Sequence, residues 1–208
     1  MPIICPTITA YDPHEYRAQV EQVHSFAKRI HIDLMDGLFA PTQSPPVDSI
    51  WWPEGVTADI HLMYQRPMAQ LEQLIALKPS LVIIPFEAQG DHLQFAQELQ
   101  SHGIRAGIAL LQATQVDDAE TVISSVDHVL VFSGDLGKHG GQADLTLLDK
   151  VKTLGKRYPA LEISWDGGIN DQNAKQLADA GVDVLNVGGY IQKSDEPEAR
   201  YHHLTELL

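Results

Sequence analysis

Two short stretches carry side chains that a buried strand has no ordinary use for. In HIDLM, His31, Asp33 and Met35 alternate with Ile32 and Leu34, and in DIHLM, Asp59, His61 and Met63 alternate with Ile60 and Leu62. A third stretch, EISWDGG, sets Ser164 and Asp166 against Ile163 and Trp165. Successive side chains on a strand point to opposite faces, so each stretch has one apolar and one polar face. Two imidazoles and two carboxylates converging from such faces, His31, His61, Asp33 and Asp166, form an N2O2 donor set for one divalent cation. A lone inward His or Asp is more often a hydrogen-bonded structural residue. Matching placement on three strands is what favours a site. Asp59 is expected to be structural, and Asp36 to stabilise the turn at Gly37.

A second kind of chemistry is suggested by glycine pairs after the last three candidate strands: Gly140-Gly141, Gly167-Gly168 and Gly188-Gly189. Glycines let backbone N–H groups approach an anion closely, and a helix that follows adds its positive dipole end. Any single pair reads as a tight turn, whereas three at one end of one fold read as a phosphate cradle. Lys138 and His139 are candidates for extra positive charge there.

The elements that must position these residues alternate regularly. Candidate strands cover residues 3–8, 30–35, 58–63, 81–86, 105–110, 128–132, 162–165 and 182–187, and amphipathic helical patterns cover 13–28, 67–77, 91–102, 144–157 and 172–180. Asp144 and Asn170 suit helix starts, and Gly103 and Gly181 suit helix ends. Eight strands alternating with helices in a chain of this length predict a (β/α)8 barrel. A doubly wound open sheet is the alternative, but the GxGxxG turn expected after its first strand is missing. No linker or low-complexity tract divides the chain, so residues 1–208 are read as one barrel domain. Barrel enzymes place their sites at the C-terminal ends of the strands, where all three polar clusters fall.

Composition narrows the partners. The 208 residues carry a formal net charge of -14, a poor match to nucleic-acid phosphates, which need clustered Lys and Arg. No apolar stretch is long enough to span a bilayer, and the first residues lack the pattern of a signal peptide. The single cysteine, Cys5, makes no internal disulfide. A cytoplasmic protein is expected, acting on a small molecule. Trp51-Trp52 could serve the interface of a homo-oligomer, or pack in the core.

With HIDLMDG, DIHLM, GGQ, WDGG and NVGG in this order, the chain resembles the ribulose-phosphate 3-epimerase family over nearly its full length. The resemblance implies a (β/α)8 barrel that interconverts ribulose 5-phosphate and xylulose 5-phosphate with a divalent metal ion. It places the metal ligands at His31, Asp33, His61 and Asp166. Zinc, iron(II), manganese and cobalt all suit such donors. Inverting C3 takes two acid/base groups flanking a planar enediolate, a task the resemblance leaves to Asp33 and Asp166. Met35 and Met63 match methionines that line the family's site. The departures lie in substrate-facing loops. The family's substrate-contacting Ser in PSILSAD falls on Ala10, with Thr9 expected to point to the other face. A third site methionine is Phe132. The segments 39–44, 84–88, 111–114 and 133–141 also differ from the family pattern. These changes keep open a related epimerase with another substrate, such as allulose 6-phosphate, or a noncatalytic binding paralogue.

Overall fold

The computed structural model describes residues 1–138 and 140–208, so His139 lies outside the described residues. Eight parallel strands close into a barrel in chain order. They are β1 (Ile3–Thr9), β2 (Arg29–Met35), β3 (Thr57–Met63), β4 (Leu81–Pro85), β5 (Arg105–Leu110), β6 (His128–Phe132), β7 (Glu162–Asp166) and β8 (Val184–Val187). Pairing of β8 with β1 completes the circle, which rules out the open doubly wound sheet. The helices are α1 (Pro13–Val23), α2 (Leu71–Leu77), α3 (His92–Ser101), α4 (Glu120–Ile123), α5 (Leu148–Arg157), α6 (Ala174–Asp179), α7 (Gly189–Gln192) and α8 (Pro197–Glu206).

Element boundaries shift from the sequence expectation for local reasons. Strand β1 gains Thr9 because that residue pairs with Asp33, and β7 gains Asp166, which pairs with Phe132 and Asn186. Helix α1 stops at Val23 rather than residue 28, because Phe26 and Ala27 N–H groups fold back onto the Val23 carbonyl. The expected helix over 67–77 starts as a 3-10 turn, Pro67–Gln70, and the one over 144–157 as the turn Leu145–Leu147. Asp144 caps that turn, its carboxylate accepting from Thr146 N at 3.1 Å. Gly103 and Gly181 sit past their helix ends with φ of 77° and 107°, where a side chain would be strained. Helix α8 escaped the periodicity because Leu204 is its one buried residue.

The hydrophobic core between sheet and helices takes Ile30, Ile32, Leu34, Ile60, Leu62, Ile163 and Trp165, the apolar partners of the alternating polar residues. The inside of the barrel is divided. Leu81, Ile83, Ala109, Leu130 and Phe132 fill the side built by β4 to β6. The opposite side, from β7 round to β3, holds Thr7, Thr9, His31, Asp33, His61, Ser164, Asp166 and Asn186, all buried. That asymmetry sets where chemistry can happen. The polar side chains are held on ladder-bonded strands, with the apolar half of the barrel across from them.

Candidate functional site

Strand register brings the polar residues together. Thr9, Asp33 and His61 are successive Cα partners across β1, β2 and β3, and Asp166 is the partner of both Phe132 and Asn186. One donor atom each from His31, Asp33, His61 and Asp166 can be chosen so that all lie within 4.8 Å of one another. His61 Nδ1 is 3.1 Å from Asp33 Oδ1, His31 Nε2 is 3.3 Å from the same oxygen, and His31 Nε2 is 4.0 Å from Asp166 Oδ2. Both imidazoles are fully buried.

The hydrogen-bond balance of this cluster is incomplete. Both ring nitrogens of His31 and Nε2 of His61 are buried without a hydrogen-bond partner. A buried polar atom left unpaired costs about 1–3 kcal/mol. Imidazole nitrogens and carboxylate oxygens are also the donors that a divalent cation of intermediate softness takes. The residues therefore fit a metal ion.

The two carboxylates are driven in opposite directions. Burial alone would raise the pKa of Asp33, but His31 and His61 beside it outweigh burial and hold it well below the usual carboxylate range. Thr9 Oγ1 adds a hydrogen bond of 2.7 Å to Asp33 Oδ2. Asp166 is pushed up to about 7, first by burial and then by the negative charge of Asp33. Burial lowers the pKa of His61. For His31 burial also works against the charged form, but the neighbouring Asp33 and Asp166 reverse it and the pKa is raised. In the metal-free protein the two carboxylates thus differ in proton affinity, Asp33 holding its charge and Asp166 favouring a proton, the divergence expected where two such groups share a site.

A cavity of about 260 Å³ opens at the C-terminal ends of the strands, bordered by Asp33, Met63, Phe132 and Asp166 together with all six paired glycines. The glycine pairs do not play one structural part. A Cβ on Gly167 would lie 2.2 Å from Gly134 N, and one on Gly168 would lie 2.0 Å from Ala143 N, so this pair lets the β6 loop cross the β7 turn. Around Gly140 and Gly141 there is open space, and a Cβ on Gly189 would sit 3.7 Å from Gly140 Cα. Those two segments face each other across the rim of the cavity. Lys138 also borders it, 3.8 Å from Asp135.

Some expectations resolve differently at the level of side chains. Ala10 packs in the outer hydrophobic core, whereas Thr7 and Thr9 border the cavity. The prediction that Thr9 points away from the site is overturned, because the strand continues through it and alternation carries Thr7 and Thr9 to the inner face. Met63 borders the cavity, and Met35 packs beside it and Ala40, its sulfur accepting from Thr42 Oγ1 at 3.0 Å. Phe132 lies with its ring centroid 5.8 Å from that of His61. Asp36 is a turn residue: Oδ1 accepts from Leu38 and Phe39 N–H, and Oδ2 from Gln65 N–H. Asp59 pairs with Arg29 Nε at 2.5 Å, below the site. Trp52 packs against the core, while Trp51 is 37% exposed with the Arg17 guanidinium 5.4 Å from its ring centroid. Sequence reasoning did not place Thr7, Thr9 and Asn186 on the cavity; Thr7 and Thr9 alternate with Ile8 on β1, a signal of the kind seen on β2 and β3, whereas Asn186 is the single polar residue of β8.

Comparison with known proteins places these features in context. The sequence profile described as the ribulose-phosphate 3 epimerase family matches residues 3–192. The chain is 34% identical over 201 residues to the ribulose-phosphate 3-epimerase of Helicobacter pylori, covering 93% of this chain and 92% of that one. It is 29% identical over 205 residues to the Mycobacterium tuberculosis protein of the same name, covering 95% and 89%. Among solved structures, 3-hexulose-6-phosphate synthase from Salmonella typhimurium superposes with a TM-score of 0.73 at 15% identity, over 99% of this chain and 98% of the other. The KGPDC of Streptococcus mutans gives 0.76 at 11% identity, over 100% and 97%. Those two likenesses carry the barrel fold alone.

Proposed function

Because this chain belongs to the ribulose-phosphate 3-epimerase family, we propose that it is a metal-dependent ketose-phosphate 3-epimerase whose best substrate is D-ribulose 5-phosphate. The observation that carries this reading is the buried cluster His31, Asp33, His61 and Asp166, with unpaired imidazole nitrogens and two carboxylates of opposed proton affinity. A divalent cation held by these four side chains would supply positive charge beside the oxygens on which negative charge develops when a proton leaves C3.

The protein's own groups account for the proton movements. Asp33 and Asp166 reach the cavity from β2 and β7, with β8 and β1 between them. One carboxylate takes the proton from C3, and the other returns a proton to the opposite face of the planar intermediate. In the reverse direction their parts exchange. Without the cation Asp166 is pushed up to about 7, and a cation bound beside it would favour the ionised form that accepts a proton. Thr9 fixes one oxygen of Asp33, leaving the carboxylate a single orientation. The apolar half of the barrel, Leu81, Ile83, Leu130 and Phe132, keeps bulk water from competing for the exchanging proton. The paired glycines on the rim suit the phosphate through their backbone N–H groups.

A second reading, an epimerase for another ketose phosphate such as allulose 6-phosphate, is supported by the substrate-facing segments 39–44, 84–88, 111–114 and 133–141, which depart from the family pattern. Rates of C3 epimerisation across a panel of pentulose 5-phosphates and hexulose 6-phosphates decide between them. The first reading expects the highest kcat/KM with D-ribulose 5-phosphate. A higher value with a hexulose 6-phosphate would replace it by the second.

A further inference from the structure

Among the described residues, Asn186 is the one on the cavity wall whose entire side-chain amide has no partner. It is 2% exposed, and neither Nδ2 nor Oδ1 makes a hydrogen bond, yet it borders the cavity. An isolated primary amide inside a barrel is costly, since two donors and an acceptor lose their water with nothing in return. A valine or leucine would fill the same place at no such cost. Its neighbours on β8, Val184, Leu185 and Val187, are apolar and buried, so no general need for polarity exists there.

The position of the amide limits what it can meet. Its Cα is the cross-strand partner of Asp166, and two residues further along the same face comes Gly188 on the rim. Beside Gly188 lies Thr7, whose Oγ1 is also buried and unpaired. With Asp166 acting at C3 and the glycine rim taking the phosphate, Asn186 stands between the reacting carbon and the phosphate. In a ketopentose 5-phosphate the polar group between those points is the C4 hydroxyl. That group is both donor and acceptor, matching an amide that offers both.

We propose that Asn186 is a specificity-determining residue that hydrogen-bonds the C4 hydroxyl of the ketose phosphate, with the hydroxyl of Thr7 completing that polar wall. The inference rests on the epimerase reading of the site. The C4 hydroxyl takes no part in the proton transfer, so the bond is made equally in ground and transition states. Its loss shows mainly in KM, with kcat little changed.

The test compares D-ribulose 5-phosphate with its 4-deoxy analogue on metal-loaded wild-type protein and on Asn186→Val. Wild type is expected to prefer the hydroxylated substrate by roughly 10- to 100-fold in kcat/KM, the range for a buried group left unpaired. Asn186→Val is expected to shrink that preference to below about 3-fold while melting at the same or a higher temperature, because it removes an unsatisfied buried amide. Asn186→Ala carries the same comparison should the branched side chain prevent folding. A variant that keeps the wild-type preference overturns the inference. So does one that slows both substrates by the same factor, since an amide that merely held a water or the strand would act that way. Wild-type protein that epimerises no ketose phosphate overturns the epimerase reading, and this inference with it. Turnover by wild type and variant alike, with equal preference, overturns the inference alone.

Discussion

At the N-terminal end of the barrel, Arg29, Asp59, Arg105, His128 and Glu162 form one closed network. Arg29 donates to both Glu162 oxygens at 2.9 Å, Arg105 adds a third bond of 2.9 Å, and His128 joins Glu162 at 2.8 Å and Ser164 at 2.6 Å. Among these residues only Asp59 Oδ1 is left without a partner. The C-terminal end uses the same side-chain types, His31, His61, Asp33 and Asp166, with no cation among the four and three ring nitrogens unpaired. Burial would raise Glu162, but Arg29 and His128 hold it well below the usual carboxylate range, whereas at Asp166 burial and the charge of Asp33 outweigh the opposing pull of His31 and of the Gly167 backbone. The floor is paired within the fold but for one Asp59 oxygen, whereas the mouth keeps imidazole nitrogens that the proposed cation would take. Charged residues inside one barrel therefore divide into those that hold the fold and those that wait for chemistry, according to whether the protein itself supplies their partners.

The largest expected effects separate the two ends. Asp33→Asn or Asp166→Asn should lower kcat by about 10²- to 10⁴-fold while circular dichroism reports a folded barrel. Near-wild-type turnover in either variant removes that residue from the mechanism. Arg29→Met should do the reverse. It strands Asp59, removes both Arg29 bonds to Glu162 and costs about 3 kcal/mol, which corresponds to roughly 6–12 °C in Tm for a chain of this size. Activity per folded molecule should be retained. A floor variant that abolishes turnover at full stability would erase the distinction.

Metal exchange sharpens the comparison. Adding zinc, manganese or cobalt at a hundred times its Kd should stabilise the chelator-treated protein by about 2.7 kcal/mol, read as a rise in Tm. His31→Ala should abolish that rise, and His128→Ala should keep it. Equal stabilisation of wild type and His31→Ala would place the cation elsewhere.

The pH dependence of stability should have opposite signs at the two ends. The raised pKa of Asp166 means that the metal-free native state keeps a proton the unfolded chain gives up above 3.8. Its stabilising contribution is present below that value and is lost as pH rises to about 7. Glu162, lowered from 4.5, contributes stability above 4.5 that is lost as pH falls. Denaturant melts of metal-free Asp166→Asn should show that its advantage over wild type disappears as pH drops from 7 to 4. By the same linkage metal affinity should fall as pH drops below about 7, where a proton occupies Asp166. An affinity that is flat across this range contradicts the assignment.

Smaller effects are expected at the rim. Gly168→Ala forces a collision with Ala143 N and should raise KM more than Gly141→Ala, which meets open space and pays only for its φ of 110°. Steady-state kinetics on the two variants measure the difference.

What the sequence made legible follows from the range of each signal. The barrel and the quartet His31, Asp33, His61 and Asp166 are visible because alternation within a strand is a local property, and each polar residue breaks an apolar run. The floor network was not legible, since it joins β2, β3, β5, β6 and β7 through the stagger of a closed sheet. Arg29 and Arg105 stand at strand starts, where they read as solvated ends. Thr9 departs from the expectation because β1 runs one residue past Ile8 and keeps the alternation that places Thr7 on the inner face. Asn186 stands just before the glycines of NVGG, and one polar residue in an apolar run gives no alternation to read. The helix Pro197–Glu206 has too few buried apolar positions for its period to show.

The proposed function requires the mouth of the barrel to move a proton at C3. Metal-loaded protein incubated with D-ribulose 5-phosphate in deuterium oxide, followed by NMR, measures this directly. The expected result is one solvent deuterium at C3, accumulating with D-xylulose 5-phosphate and lost in both Asp33→Asn and Asp166→Asn. Full retention of the C3 proton with every pentulose 5-phosphate and hexulose 6-phosphate supplied would contradict it.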